Sequence, residues 1–194
     1  MNLFNEAPQP LADRIRPTVI EDVIGQQQII GDGQFVRTLI RSGKPASLIL
    51  WGPPGTGKTT LARIIARSGQ FAFEEISAVT SGLADVKKVI ERAKARHRMG
   101  QGTILFVDEI HRFNKAQQDA FLPHMENGTI VLIGATTENP SFEVIGPLLS
   151  RSRVVVLEKL SQEQLEAIID RGLADLHRQI APDGRKSTVA SVCV

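Results

Sequence analysis

Cysteine is nearly absent: Cys193 is the only one in 194 residues. One thiol excludes an internal disulfide framework and a cysteine-based zinc site within a single chain, and it fits a reducing compartment. Tyrosine is missing altogether, and no aromatic interleaving points to stacking on single-stranded bases. Long apolar runs are missing too. Residues 104–107 and 154–157 are far shorter than the roughly 20 residues that span a bilayer. The opening Met1-Asn2-Leu3-Phe4-Asn5-Glu6 has neither a basic nor an apolar signal region, so a soluble intracellular chain without membrane contact is expected. Charge of one sign is lacking as well. The 23 Lys and Arg against 21 Asp and Glu leave +2, too little to argue for nucleic acid. Wholesale disorder is excluded by 42% hydrophobic and 23% charged residues, and the length suffices for a sizeable core.

What is present alternates. Residues 1–17 carry Pro8, Pro10 and Pro17 and predict an extended arm. Apolar residues recur at helical spacing from Ile29 to Ile40, with Gly31 and Gly33 delaying the start. Strands are predicted at 47–51, 71–77, 103–108, 129–135 and 153–157. Helices are predicted after residue 57, over 82–100 and over 116–125, the last stopped by Gly128. Strands alternating with helices imply an α/β fold, a central five-stranded parallel sheet covered on both faces. Ser161 followed by Gln164 is a capping pattern for one more helix, with Leu165, Ile168, Ile169, Leu173 and Leu176 as its apolar stripe. After His177 the periodicity fades. Residues 1–158 are therefore expected to form a core, and residues 159–194 the start of a second, unfinished element with an irregular tail.

Between the first strand and the next helix lies Gly52-Pro53-Pro54-Gly55-Thr56-Gly57-Lys58-Thr59-Thr60, a complete phosphate-binding loop pattern. Its glycines let backbone amides turn inward around phosphate oxygens. Lys58 reaches the β- and γ-phosphates, the Thr59 hydroxyl suits Mg²⁺, and the helix dipole favours the anion. The strand Ile104-Leu105-Phe106-Val107 ends in Asp108-Glu109. Carboxylates there stand at the edge where open α/β sheets bind ligands. Asp108 is placed to hold Mg²⁺ and Glu109 to act as general base on water.

These two motifs resemble the AAA+ ATPases, whose fold is a P-loop NTPase core followed by a helical lid. The runs DEIHRFNKAQQ (108–118) and IGATTENPSF (133–142), with Arg14, Arg16-Pro17 and Asp22-Val23-Ile24-Gly25-Gln26, resemble one group within them. It is the replication-associated recombination protein A family, related to the Werner helicase-interacting protein. The resemblance covers residues 10 to 177. It implies ATP and Mg²⁺ as cofactors, Thr137 as the polar sensor that helps place the lytic water, and Arg151 as an arginine finger completing a neighbouring subunit's site, with Arg153 as the alternative. It implies that residues 1–28 include the adenine side, where Val23 and Ile24 contact the base or serve as ordinary core. Ser77, at the second strand's end, matches a position that restrains the catalytic glutamate or simply caps the strand. Trp51 fits core better than a stacking platform, and Asn139-Pro140 fits a turn.

The helix over 82–100 carries Lys87, Lys88, Arg92, Lys94, Arg96 and Arg98 against Asp85 and Glu91. That face suits a phosphate backbone or a solvated surface. The resemblance favours DNA, with Lys87, Lys88, Arg92 and Arg112 as contacts and Lys115 nearby. The function implied is a DNA-dependent ATPase of replication-fork maintenance and recombination, acting on forks or strand ends. Its setting would be cytoplasmic and nucleoid-associated, with homo-oligomers in the full-length form and single-strand-binding protein or other replisome components as partners. The rival readings are a clamp-loader subunit and an ATP-binding module with weak turnover, because the lid that begins near residue 160 looks truncated.

Overall fold

Five apolar runs become the strands of one sheet. In the computed structural model, which describes residues 10–180, they are β1 (Leu48–Trp51), β2 (Ala72–Ser77), β3 (Thr103–Asp108), β4 (Val131–Thr136) and β5 (Arg153–Val156). All pair parallel, in the order β2-β3-β4-β1-β5. The helices, in chain order, are α1 (Leu11–Arg14), α2 (Gln27–Ile30), α3 (Phe35–Ser42), α4 (Lys58–Ser68), α5 (Leu83–Arg98), α6 (Lys115–Asp119), α7 (Leu122–Glu126), α8 (Pro140–Glu143), α9 (Gly146–Ser150) and α10 (Gln162–Ile180). The irregular stretch expected over residues 181–194, with Cys193, and residues 1–9 of the expected arm lie outside the described residues.

Strand side chains alternate between faces, and both faces are covered. Leu48 and Leu50 of β1 join Ile104 and Phe106 of β3 in one layer, with Leu61, Ile64 and Ile65 of α4 and Val36 and Leu39 of α3. Ile49, Leu105 and Val107 enter the opposite layer with Val86, Val89 and Ile90 of α5 and with Phe121. Ile104 through Val107 are each 0% exposed. Each such side chain contributes roughly 1.5–3 kcal/mol through burial, which is why the run from Ile104 to Val107 is apolar without interruption up to the acidic end of β3.

Several elements differ from the sequence-based expectation. The helix expected over 116–125 is two, α6 and α7, divided at Ala120 and Phe121. Pro123 has no amide hydrogen to return to the residue four before it, so it sits in the first turn of a new helix. The buried Gln118 holds this region together. Its Nε2 donates to the Phe113 carbonyl at 3.0 Å and the Glu143 carbonyl at 3.1 Å, and its Oε1 accepts from the Ile145 amide at 3.0 Å. The strand expected from residue 129 begins at Val131, because the Thr129 amide and hydroxyl bond to the Asn127 side chain at 3.0 and 2.6 Å. Periodicity over 29–40 resolves into α2 and α3 on either side of a turn. Asn139-Pro140 opens the single helical turn α8, the Asn139 side chain accepting from the Ser141 amide at 3.0 Å. The expected arm is not extended throughout, since residues 11–14 form α1.

The chain divides into two compact units. Pro17–Leu160 holds the sheet and its helices. In the other unit α1 packs on α10: Arg14 Nη2 pairs with Asp175 Oδ2 at 2.7 Å, and the buried Gly172 faces Leu11 and Ile15. α10 opens with the reciprocal cap that Ser161 and Gln164 predict. The Gln164 amide donates to Ser161 Oγ at 3.3 Å, and the Ser161 amide donates to Gln164 Oε1 at 3.0 Å. Leu165, Ile169 and Leu173 of its stripe are exposed. Among the described residues, no helix is long and apolar enough to cross a membrane.

Candidate nucleotide site

Strand order places the site. The chain leaves β1 for the β2 edge of the sheet and leaves β4 for the β5 edge, so the loops after these neighbouring strands diverge and open a crevice at their C-terminal ends. Trp51 pairs with Thr136, Val107 with Gly134 and Ser77 with Asp108. The segments beginning at Gly52, Thr137 and Asp108 therefore emerge along one edge.

The loop after β1 is held from both sides. Its Gly52 amide donates to the Thr136 carbonyl at 3.2 Å, and the Leu157 amide donates to the Trp51 carbonyl at 2.7 Å. Gly55 and Gly57 have φ of 76° and 95°, where other residues are strained, and a Cβ at either would meet nothing within 4 Å. That leaves an open cradle of backbone amides in front of α4. Thr56 Oγ1 donates to the Pro53 carbonyl at 2.9 Å, fixing the turn. Lys58 is buried at the start of α4, and its Nζ donates to the Gly52 and Pro53 carbonyls at 2.7 and 2.8 Å. Burial holds its pKa below the ordinary lysine value, against the opposing pull of Glu109 and Asp108. Thr59 and Thr60 are half-buried in the first turn of α4, and Pro53 and Pro54 form an exposed rim.

Asp108 closes β3. Burial, and then the neighbouring Glu109 charge, push its carboxyl above the ordinary range. Glu109 follows in the left-handed region, φ 50° and ψ 49°. Its Oε2 accepts from the Thr137 hydroxyl at 3.3 Å and lies 3.2 Å from His111 Nδ1. The same Nδ1 is 2.9 Å from Thr136 Oγ1. Lys58, Asp108, Glu109 and Thr137 thus form one cluster.

The other expected residues lie elsewhere. Arg151 follows α9 and precedes β5, whose first residue, Arg153, pairs with Leu48 at the start of β1. Arg151 therefore stands at the end of the sheet opposite the phosphate loop. Its guanidinium is exposed, bonded to Glu126 at 2.6 Å and to the Pro147 carbonyl at 3.0 Å. Arg153 lies over the Phe35 ring, 3.8 Å from its centroid. Ser77 Oγ accepts from the Val79 amide at 3.3 Å, a local cap. Val23 and Ile24 are half-buried, and Val23 packs on the layer formed by α3 and α4.

On α5, Arg92 and Arg96 both reach Glu74 of β2, at 2.6 and 2.7 Å, while Lys88 pairs with Asp85 at 3.2 Å and Lys94 with Glu91 at 2.8 Å. Glu74 is the acid that a reading of the helix alone leaves out, and Arg92 above all holds its carboxyl below the ordinary range. Lys87, Arg112 and Lys115 are exposed and make no ion pair among the described residues.

Two residues of the site lie in the runs that carry the resemblance, yet nothing local in the sequence gives either a role. Gln26 is buried in the left-handed region, φ 61°. Its Nε2 donates to the Glu158 carbonyl at 2.8 Å and, more weakly, to the Thr56 carbonyl at 3.4 Å, and its Oε1 accepts from the Glu158 amide at 3.0 Å. One side chain thus ties the phosphate loop to the segment after β5. His111 is the other.

The pattern of the "ATPase family associated with various cellular activities" matches residues 48–161. "Replication-associated recombination protein A" of Escherichia coli K12 is 50% identical over 190 residues, 95% of this chain and 42% of that protein. "ATPase WRNIP1" of Dictyostelium discoideum is 51% identical over 172 residues, 89% of this chain and 20% of that protein. Among solved structures, the Thermotoga maritima RuvB Holliday junction branch migration motor superposes with a TM-score of 0.70 at 29% identity, covering 84% of this chain and 55% of that one. The chain thus spans 42% of its Escherichia coli relative's length. With the family pattern spanning the whole sheet and the phosphate loop and acid pair meeting at its edge, the chain belongs to the AAA family of ATPases.

Proposed function

We propose that the chain binds ATP with Mg²⁺ and hydrolyses it, as the motor core of a DNA-dependent ATPase serving replication-fork maintenance and recombination. One observation carries this reading: the Glu109 carboxylate is held by Thr137 in the same cluster as Lys58 and Asp108. The backbone amides of residues 55–60 would hold the phosphates, and Lys58 would leave the Gly52 and Pro53 carbonyls for the β- and γ-phosphate oxygens. Thr59 and Asp108 are the protein ligands suited to Mg²⁺, which supplies charge neutralisation at the phosphates when bound. Glu109 takes the proton of the attacking water, and Thr137 fixes both the carboxylate and that water. Val23 and Ile24 border the adenine. Arg151 serves the site of a neighbouring copy, since its own lies at the other end of the sheet.

The DNA role is supported by the names of the relatives, a recombination protein and a branch migration motor. It is supported also by the cations Lys87 and Arg112, which make no ion pair among the described residues, with Lys88 and Arg92 contributing where DNA competes for their carboxylates. Homo-oligomers and replisome partners belong to the same proposal and rest on the resemblance of residues 108–118 and 133–142 to that family.

Glu109→Gln tests the chemistry. ATP binding is expected to persist while turnover falls about a hundredfold or more. Undiminished turnover refutes the general-base assignment.

A further inference from the structure

Glu109 is restrained by a residue from its own turn. His111 lies two residues on, in the 3₁₀ turn Ile110–Arg112, and its side chain is only 8% exposed. Its Nδ1 stands between two oxygens, Thr136 Oγ1 at 2.9 Å and Glu109 Oε2 at 3.2 Å. The chemistry of those oxygens settles what Nδ1 carries. Thr136 Oγ1 accepts from the Glu138 amide at 3.0 Å and has the Glu138 carbonyl at 3.2 Å as a taker for its own proton. The carboxylate oxygen has lone pairs only. An unprotonated Nδ1 would set its lone pair against that carboxylate. A protonated Nδ1 donates to both oxygens and satisfies the whole group.

We propose that His111 is a positioning residue for ATP hydrolysis, its Nδ1–H acting with the Thr137 hydroxyl to hold Oε2 of Glu109. This rests on Glu109 being the general base. Both restraints converge on Oε2, which leaves Oε1 as the oxygen that takes the proton. The two donors come from different elements: Thr137 follows β4, and His111 belongs to the turn after β3. The carboxylate is thus fixed relative to two neighbouring strands. The contacts of its Nδ1 are with Thr136 and Glu109, so its loss is expected to act on rate and not on affinity.

Two measurements on the full chain test the inference. In ¹⁵N-labelled protein, the ring spectra of the 4 histidines are assigned by substituting each in turn. His111 is expected to carry a proton on Nδ1, and Glu109→Gln is expected to shift its ring signals while leaving those of His177 in place. An Nδ1 without a proton overturns the inference, whether or not the chain turns ATP over. In steady-state kinetics, His111→Asn puts an amide donor where Nδ1 stood and is expected to keep kcat within about threefold. His111→Ala, and His111→Gln with its donor displaced, are expected to lose roughly tenfold to a hundredfold in kcat with KM for ATP unchanged. Equal losses in all three variants, or a rise in KM alone, overturn it. Turnover that survives His111→Ala but not Glu109→Gln removes only the positioning role. Turnover that survives Glu109→Gln removes the general base and this inference together.

Discussion

Gly52 has no room for a methyl group. A Cβ there would run into the backbone carbonyl of Leu157, which no change of rotamer can clear. The Gly52 carbonyl also accepts from Lys58 Nζ at 2.7 Å, so any shift of this residue moves the lysine. Gly52→Ala is therefore expected to lose about 1–3 kcal/mol of stability and to weaken ATP binding at least about tenfold. Denaturant unfolding and nucleotide titration measure the two effects, and wild-type values in both would refute the steric argument. Gly52, Lys58 and Thr59 are legible in the sequence because the loop closes on residues within a few positions of each other. Gln26 and His111 are not. Gln26 meets Glu158, 132 residues away, and His111 meets Thr136, 25 away. Only the strand order brings those partners together.

At the scale of elements, α5 is fastened to β2 by Glu74, whose carboxylate takes Arg92 at 2.6 Å and Arg96 at 2.7 Å. These arginines hold the Glu74 carboxyl below the ordinary range. An acid depressed in the folded state adds stability above the unfolded-state pKa and loses it as the pH falls through the folded one. Glu74→Gln is expected to lose about 1 kcal/mol at neutral pH, a modest figure because Arg92 is half exposed. In urea titrations repeated at falling pH the gap between variant and wild type should close below the ordinary carboxylate range, and a constant gap would count against the electrostatic account. The sequence made α5 visible as a basic amphipathic helix but hid its counter-charge on a strand, so its face looks more cationic than it is. β3 was legible to the residue, since burial on both faces demands an unbroken apolar run. The break between α6 and α7 was signalled only by Pro123, which the unbroken periodicity over 116–125 outweighed.

At the scale of the molecule, Arg151 is set apart from its own phosphate loop by the length of the sheet. In its own chain it pairs with Glu126, and under the proposed function it serves the site of a second copy. Arg151→Ala, with an intact loop, and Lys58→Ala, with an intact arginine, are each expected to be inactive alone. Mixed where copies associate, they should recover a fraction of wild-type turnover. Failure to recover at any ratio would remove the role in trans. The division into two units was only partly legible. The sequence separates α10 from the core by its cap, but nothing local announces that α1 joins it, through Arg14 and Asp175, 161 residues apart. The sheet order also sets the timing of folding. β1 is the first strand in the chain, yet its neighbours are β4 and β5, the last two. During synthesis the apolar run Leu48–Trp51 emerges with nothing to pair with until Val131–Thr136 follows, and the second side stays open until Arg153–Val156. Such non-local pairing is slow to form and leaves an exposed edge meanwhile. A nascent chain halted before residue 131 carries every residue of the phosphate-binding motif and lacks the strand that shapes it.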